Sequence, residues 1–385
     1  MISGGVEGMT TVELFCGIGG FRIAADAVGL RTVWANDLEP KACQVYRDRF
    51  GSALVEGDIN TFLDEIPPHD LLSGGFPCQP FSSAGKKLGT NDPRGTLFQS
   101  IVEVIRRRAP RYFVLENVKR LLSMEKGMHF ATIVRALSSL GYRVEWRLLN
   151  AMHFGLAQNR QRVVITGHRD PSEGVNSVLA TAGDLEALSD GDLDSIHDER
   201  QWVKLENHGE RFPTWGMAWN GRFIGYNLPL FSDAFPKVTL ADVLEGDVAA
   251  QFDFTDSMGE RLSMNSEVCR FVEGVEILSN QGGGARMGYT IFGTRGLSPT
   301  LTASTSRHYE RYLIGDRYRR LTNVEYARLQ GFPDSHCSRV TVYDQYSLYG
   351  NAVPPPMMEW VFRRVMGATT AIPVPSASQL SLLPR

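Results

Sequence analysis

The chain has 385 residues, 43% of them hydrophobic, enough to bury a sizeable core and to divide into two domains. Its net charge of −3 excludes a generally basic coat for nucleic acid, though a local positive surface stays compatible with it. Five cysteines, at 16, 43, 78, 269 and 337, form no CxxC pair, which argues against structural zinc and for a reducing compartment.

Residues 1–10 read as a loose leader. A strand is expected over Thr11–Phe15, then a glycine-rich turn, a helix around Phe21–Val28, and a second strand, Thr32–Ala35, ending at Asn36-Asp37. A helix over Lys41–Phe50 leads to strand Ala53–Val55 and the turn Glu56-Gly57-Asp58. Strand Leu71–Leu72 ends in Ser73-Gly74-Gly75, and helix Leu97–Arg107 and the apolar strands Tyr112–Leu115 and Val163–Thr166 follow. This alternation predicts a doubly wound α/β domain over 1–183, with ligands beyond the carboxyl ends of its strands.

The pattern dissolves after about Asp170, where an acidic stretch gives way to one rich in Trp, Gly and Pro. Residues 184–315 are expected to form a smaller, irregular, mostly β domain, strand-like at Tyr289–Phe292 and Pro299–Ala303. Thr322 and Glu325 predict a capping box for a helix over Thr322–Gln330. That helix and another near Met357–Met366 place 316–366 as a hinge returning to the first domain, before a tail, 367–385, expected to be disordered. The runs Arg106–Arg108 and Arg317, Arg319, Arg320 are candidates for positive surface, a solvated helix end being the plainer reading of the first. No apolar run is long enough to cross a membrane and MISGGVEGMTT lacks a signal-peptide core, so a soluble cytoplasmic protein is expected.

The candidate site residues fall at strand ends. Phe15-Cys16-Gly17-Ile18-Gly19-Gly20-Phe21 lets a ligand approach the backbone and the following helix N-terminus closely. Asp37 suits a ribose diol and Asp58 an adenine amino group; a dinucleotide fits less well, because the third glycine of GxGxxG is missing. In Gly75-Phe76-Pro77-Cys78-Gln79-Pro80-Phe81-Ser82, two prolines stiffen a polar loop around one cysteine, which is no packing position for an inert thiol. Glu116, leaving an apolar strand, suits a carboxyl with a raised pKa; a cap for the next helix stays equally open. Alternation puts Gln158, Arg160 and Arg162 on one side, suited to gripping a phosphate and a base carbonyl, an exposed edge strand being the alternative.

With these residues placed, the sequence resembles the cytosine-C5 DNA methyltransferase family. Nine segments match in family order: FCGIGGF (15–21), NDLE (36–39), GDI (57–59), GFPCQPFS (75–82), DPRGTLF (92–98), ENV (116–118), QNRQRV (158–163), RRLTNVEYARLQGFP (319–333) and YGNAVPPP (349–356). The resemblance implies an S-adenosylmethionine-dependent methyltransferase acting on a cytosine flipped out of double-stranded DNA. It assigns Cys78 to attack on C6, Glu116 to the N3/N4 edge, Arg162 to the base O2, and Arg160 to a neighbouring phosphate or the sulfur side. C5 then takes the methyl, a base removes the C5 proton, and Cys78 leaves.

For the cofactor the resemblance adds Phe15, Cys16, Gly17–Gly20 and Phe21, then Asp37, Leu38, Asp58, Ile59, Pro77, Leu97, Asn351 and Ala352. Leu38 stands where the family often has a bulky aromatic. Region 184–315 corresponds to the target recognition domain, with Thr300-Leu301 as its short signature. DNA contacts are then expected from Gln79, Ser82, Gln281, Arg286, Thr290, Phe292 and Thr300. No metal is implied. A monomer is expected, of bacterial, archaeal or phage type, with possible genetic pairing to a restriction nuclease and nucleoid association while on DNA. The alternatives are the family's tRNA-modifying branch, whose Cys-Phe-Thr tripeptide is missing here, and a catalytically silent DNA-binding relative.

Overall fold

The computed structural model describes residues 8–51, 53–77, 97–169, 177–181, 184, 197–198, 212–219, 221–228, 237–255, 266–280, 290–303 and 310–367. Strands Thr10–Leu14 (β1), Arg31–Asp37 (β2), Leu54–Glu56 (β3), Leu71–Gly75 (β4) and Tyr112–Val118 (β5) pair in parallel in the order β3-β2-β1-β4-β5. Both faces of this sheet are covered, so its strands read as near-continuous apolar runs. Helices Leu97–Arg108 and Met128–Ser138 pack Ile101, Val104, Phe130 and Ile133 against one face, beside Val12, Leu72, Phe113 and Leu115. The other face takes Gly20–Ala27 and the C-terminal helix Pro355–Val365, joined through Phe21 and Phe362 with ring centroids 6.1 Å apart.

Beyond β5 the sheet turns antiparallel. Gln161–His168 (β7) inserts between β5 and Arg143–Asn150 (β6), so the arginine motif opens an interior strand and not an exposed edge. Trp215–Trp219 (β9), Arg222–Tyr226 (β10) and His197–Asp198 (β8) then extend the sheet past β6. Of the stretch expected to be one β domain, the strands His197–Asp198, Trp215–Trp219 and Arg222–Tyr226 thus belong to the larger sheet. The reason is the edge of β6, whose unpaired backbone would otherwise stay open.

The second sheet holds Ser266–Val272 (β11), Val275–Asn280 (β12), Thr290–Phe292 (β13), Arg311–Ile314 (β14) and Arg317–Arg319 (β15), in that order. Pro299–Ala303 is not a strand but a tether: Ser298 N–H donates to Ala157 O at 2.8 Å, and Asn159 N–H to Ser298 O at 2.9 Å. One apolar cluster runs from Ile18 and Val45 through Ala157 and Leu301 to Tyr312, Tyr326 and Tyr349, so the second sheet shares a core with the first glycine turn.

Helix Asn323–Gln330 carries both hydrogen bonds of the expected capping box. Arg319 is buried against Glu325, at 2.7 and 2.8 Å, and Arg317 pairs with Asp253, so these arginines hold the fold rather than forming a free positive patch. Arg106 and Arg107 pair with Glu103, and Arg108 donates to Asp64 O, the plainer reading of that run.

Candidate active site

The C-terminal ends of β1, β2, β4 and β5 converge. At the end of β1, Phe15 takes φ +53 and Gly17 φ +54, and helix Gly20–Ala27 begins at Gly19 with no side-chain cap. The Gly17 N–H donates to Asp37 at 2.7 Å, and the other carboxylate oxygen of Asp37 accepts from Glu39 N–H at 2.8 Å. Burial raises the Asp37 pKa, while the N–H groups of Glu39, Gly17 and Leu38 pull it down. Beside this carboxylate, Leu38 is 67% exposed, an apolar side chain left in water at the mouth of the turn. A Cβ built on Gly17 meets nothing within 4 Å, so open space adjoins the same point. A diol acceptor, an apolar lip and an open backbone suit a nucleoside, so these residues fit S-adenosylmethionine.

Other expected cofactor residues divide. Cys16, Ile18, Phe21 and Ile59 are buried in the core, and Leu97 packs against it from the start of its helix. Asp58 is exposed and caps the short turn Ile59–Thr61, accepting from Asn60 N–H at 2.9 Å. The closing motif lies against the turn: a Cβ on Gly20 would fall 2.2 Å from Val353 O, which no side chain permits. Ala352 is buried there, with Asn351 exposed beside it.

At the end of β5, Glu116 is 7% exposed and in register with Gly75 of β4. Arg162 Nε donates to its carboxylate at 2.7 Å. Burial raises the Glu116 pKa, with Arg162 and Arg160 opposing. The helix-cap alternative falls away, because the following 3-10 turn has Val118 as its N-cap and no side-chain cap bond. Asn117, which the sequence reading did not single out, donates from Nδ2 to Phe76 O at 2.9 Å and fixes the backbone two residues before Cys78. Its position beside Glu116 was the available signal. Pro77 is exposed; Cys78, Gln79, Ser82, Gln281 and Arg286 lie outside the described residues.

The three side chains of the arginine motif do not act alike. Gln158 is fully buried, accepting from Leu301 N–H and donating to Leu329 O, both at 3.0 Å. Arg160, 1% exposed, donates to the carbonyls of Leu301 (3.1 Å), Gly350 (2.9 Å) and Ala352 (2.9 Å). That geometry turns its two terminal nitrogens to three backbone acceptors rather than to a phosphate or sulfur contact. Only Arg162 turns toward an opening.

That opening is a cleft of about 540 Å³ between the β5–β7 ends and the second sheet. Lys119, Arg120, Arg162 and Arg270 bring positive charge to it, and Val272, Ile277 and Phe292 apolar surface. Thr290 and Phe292 line it though nearly buried, and the Thr300 hydroxyl donates to Asn159 O at 2.6 Å. Lys119, Arg120 and Arg270 escaped the sequence reading, since isolated basic residues carry no motif. Among the described residues there is no group of three or more His, Cys, Asp or Glu that could hold a metal, and no helix long and apolar enough to cross a membrane.

A family model described as C-5 cytosine-specific DNA methylase matches residues 9–367. Type II methyltransferase M.HaeII of Haemophilus aegyptius is 30% identical over 381 residues, 97% of this chain and 98% of that protein. Type II methyltransferase M.NgoBI of Neisseria gonorrhoeae is 45% identical over 161 residues, 42% of this chain and half of that protein. The crystal structure of the S. pombe Dnmt2 methyltransferase superposes with a TM-score of 0.63 at 18% identity, covering 93% of this chain and 98% of that one, a likeness of fold.

Proposed function

Because the chain belongs to the C-5 cytosine-specific DNA methylase family, whose methyl donor is S-adenosylmethionine, we propose that Cys78, Glu116 and Arg162 carry the transfer to C5 of a flipped cytosine. The observation that carries this reading is the buried Glu116–Arg162 pair, in register with Gly75, three residues before Cys78. The Cys78 thiolate adds to C6, and the ring's electrons move toward C5. Glu116, its pKa raised by burial, holds a proton at the N3/N4 edge and so favours that addition. Arg162 donates to O2 of the same ring. Once C5 carries the methyl group, loss of its proton to a base expels Cys78 and restores the aromatic ring.

The cofactor supplies an electrophilic methyl group on a sulfonium. Gly17–Gly20, Asp37 and Leu38 would hold it, Asp37 as acceptor for a ribose diol and Leu38 as apolar surface for the base. Arg160 takes no part in these contacts and instead positions Arg162 by tethering the strand entry. The cleft under the second sheet receives duplex DNA, with Lys119, Arg120 and Arg270 on phosphates, and residues 266–319 supply recognition. We further propose that the chain acts as a monomer on a short site and pairs genetically with a restriction nuclease.

The test is bisulfite sequencing of DNA from a strain lacking cytosine methylation that expresses the chain, with Cys78→Ala as control. Protected cytosines in one short motif, absent with Cys78→Ala, are expected. Complete conversion despite folded, cofactor-binding protein would overturn the assignment.

A further inference from the structure

Three consecutive residues of the first glycine turn are backed by contacts from distant parts of the chain. The best defined is at Ile18, whose carbonyl oxygen lies 2.7 Å from Nε2 of His336. His336 stands between helices Asn323–Gln330 and Val342–Asn351 and is 4% exposed. A carbonyl only accepts, so the ring carries its proton on Nε2 and donates. Burial pushes the His336 pKa down to about 4, so the ring is neutral near pH 7.

The imidazole is itself fixed. Phe332 packs at 4.8 Å and Phe50 at 6.1 Å between ring centroids, and Arg49 Nε donates to the His336 carbonyl at 2.7 Å. Phe50 also backs the next turn residue. Gly19 takes φ +84, and a Cβ there would fall 2.3 Å from the Phe50 ring. Gly20, third in line, meets Val353. The uncapped start of helix Gly20–Ala27 is therefore held from behind rather than by its own side chains.

The geometry points to His336 as a positioning residue for S-adenosylmethionine: its hydrogen bond fixes the Ile18 peptide and presets the turn on which the cofactor rests. A turn already ordered loses less conformational freedom when the ligand arrives, so the bond acts on affinity. This rests on the reading that Gly17–Gly20 and Asp37 hold the cofactor.

The test titrates S-adenosylmethionine calorimetrically into the full chain as wild type, His336→Phe, His336→Gln and Asp37→Ala, with thermal unfolding of each in parallel. Phenylalanine keeps the ring and loses the donor; glutamine keeps a donor. His336→Phe is expected to weaken binding by about three- to tenfold. KM for the cofactor should rise in step while KM for DNA holds, and His336→Gln should recover most of the affinity. If His336→Phe does not fold, His336→Asn, too short to reach Ile18, is read in its place. Wild-type affinity in the donorless variant, or a glutamine variant as weak as it, overturns the proposal. Loss of binding in Asp37→Ala with no change in His336→Phe sinks the brace alone. Unchanged binding in Asp37→Ala sinks the cofactor reading and the brace together.

Discussion

Arg160 and Arg162 stand two positions apart in one motif, yet they serve two different regions of the molecule. The ends of β4, β5 and β7 turn their polar groups toward an opening, where Arg162, among the described residues, donates to Glu116 and a neighbouring carbonyl. The joint formed by 157–160, 298–301 and 349–352 turns most of its polar groups on itself, and the terminal nitrogens of buried Arg160 donate there to three carbonyls. The difference teaches that a motif can hold a chemical group and an architectural one side by side. Residue type does not separate them; the number of acceptors already waiting does.

The largest effect should come at the open region. Glu116→Gln keeps the size of the side chain but cannot carry the proton, and kcat is expected to fall by about 10²–10⁴ with folding preserved. Single-turnover kinetics with the wild type alongside would show it, and a variant within tenfold of wild type would remove Glu116 from the chemistry. Next comes the contrast between the arginines. Arg160→Met leaves buried carbonyls without their donor, at about 1–3 kcal/mol for each acceptor that finds no water. It should lower the midpoint of urea unfolding clearly, whereas Arg162→Met should lower activity far more than stability. Equal destabilisation by the two substitutions would erase the distinction between the regions.

What the sequence made legible follows the same division. The parallel half could be read because short apolar runs end in Gly, Asn and Asp, and Thr322 with Glu325 fixed a helix start through purely local bonds. β6 could not. Its Arg143, Glu145 and Arg147 suggest exposure, yet all eight residues are buried. Their partners are remote: Glu145 accepts from Val178 N–H and Trp215 Nε1, both at 2.8 Å, and Arg147 donates to Asp184 at 2.6 Å. With β6 unseen, its covering strands Trp215–Trp219 and Arg222–Tyr226 had no place to go. At the site, Glu116, Arg162 and Asp37 were legible by position at strand ends. Arg160 was misread because its acceptors lie 141 to 192 positions away. His336 had no motif to announce it.

The smallest effect is expected from Glu13, in the centre of the parallel half and on β1 itself. This carboxyl is 1% exposed and accepts from Tyr46 Oη at 3.0 Å. Burial pushes its pKa from 4.5 up to about 8, against the pull of Tyr46 and Arg22. Below pH 4.5 both the folded and unfolded chains keep the proton. Between 4.5 and about 8 the unfolded chain releases it while the folded chain retains it, so this group makes stability fall as pH rises. Glu13→Gln keeps an acceptor for Tyr46 and has nothing to ionise. It should remove that part of the decline between pH 5 and 8 and raise the thermal midpoint at pH 8 by about 1–2 °C for each kcal/mol recovered. A variant whose stability tracks the wild type across that range would mean that Glu13 is already ionised in the folded chain, with Arg22 rather than burial setting its charge.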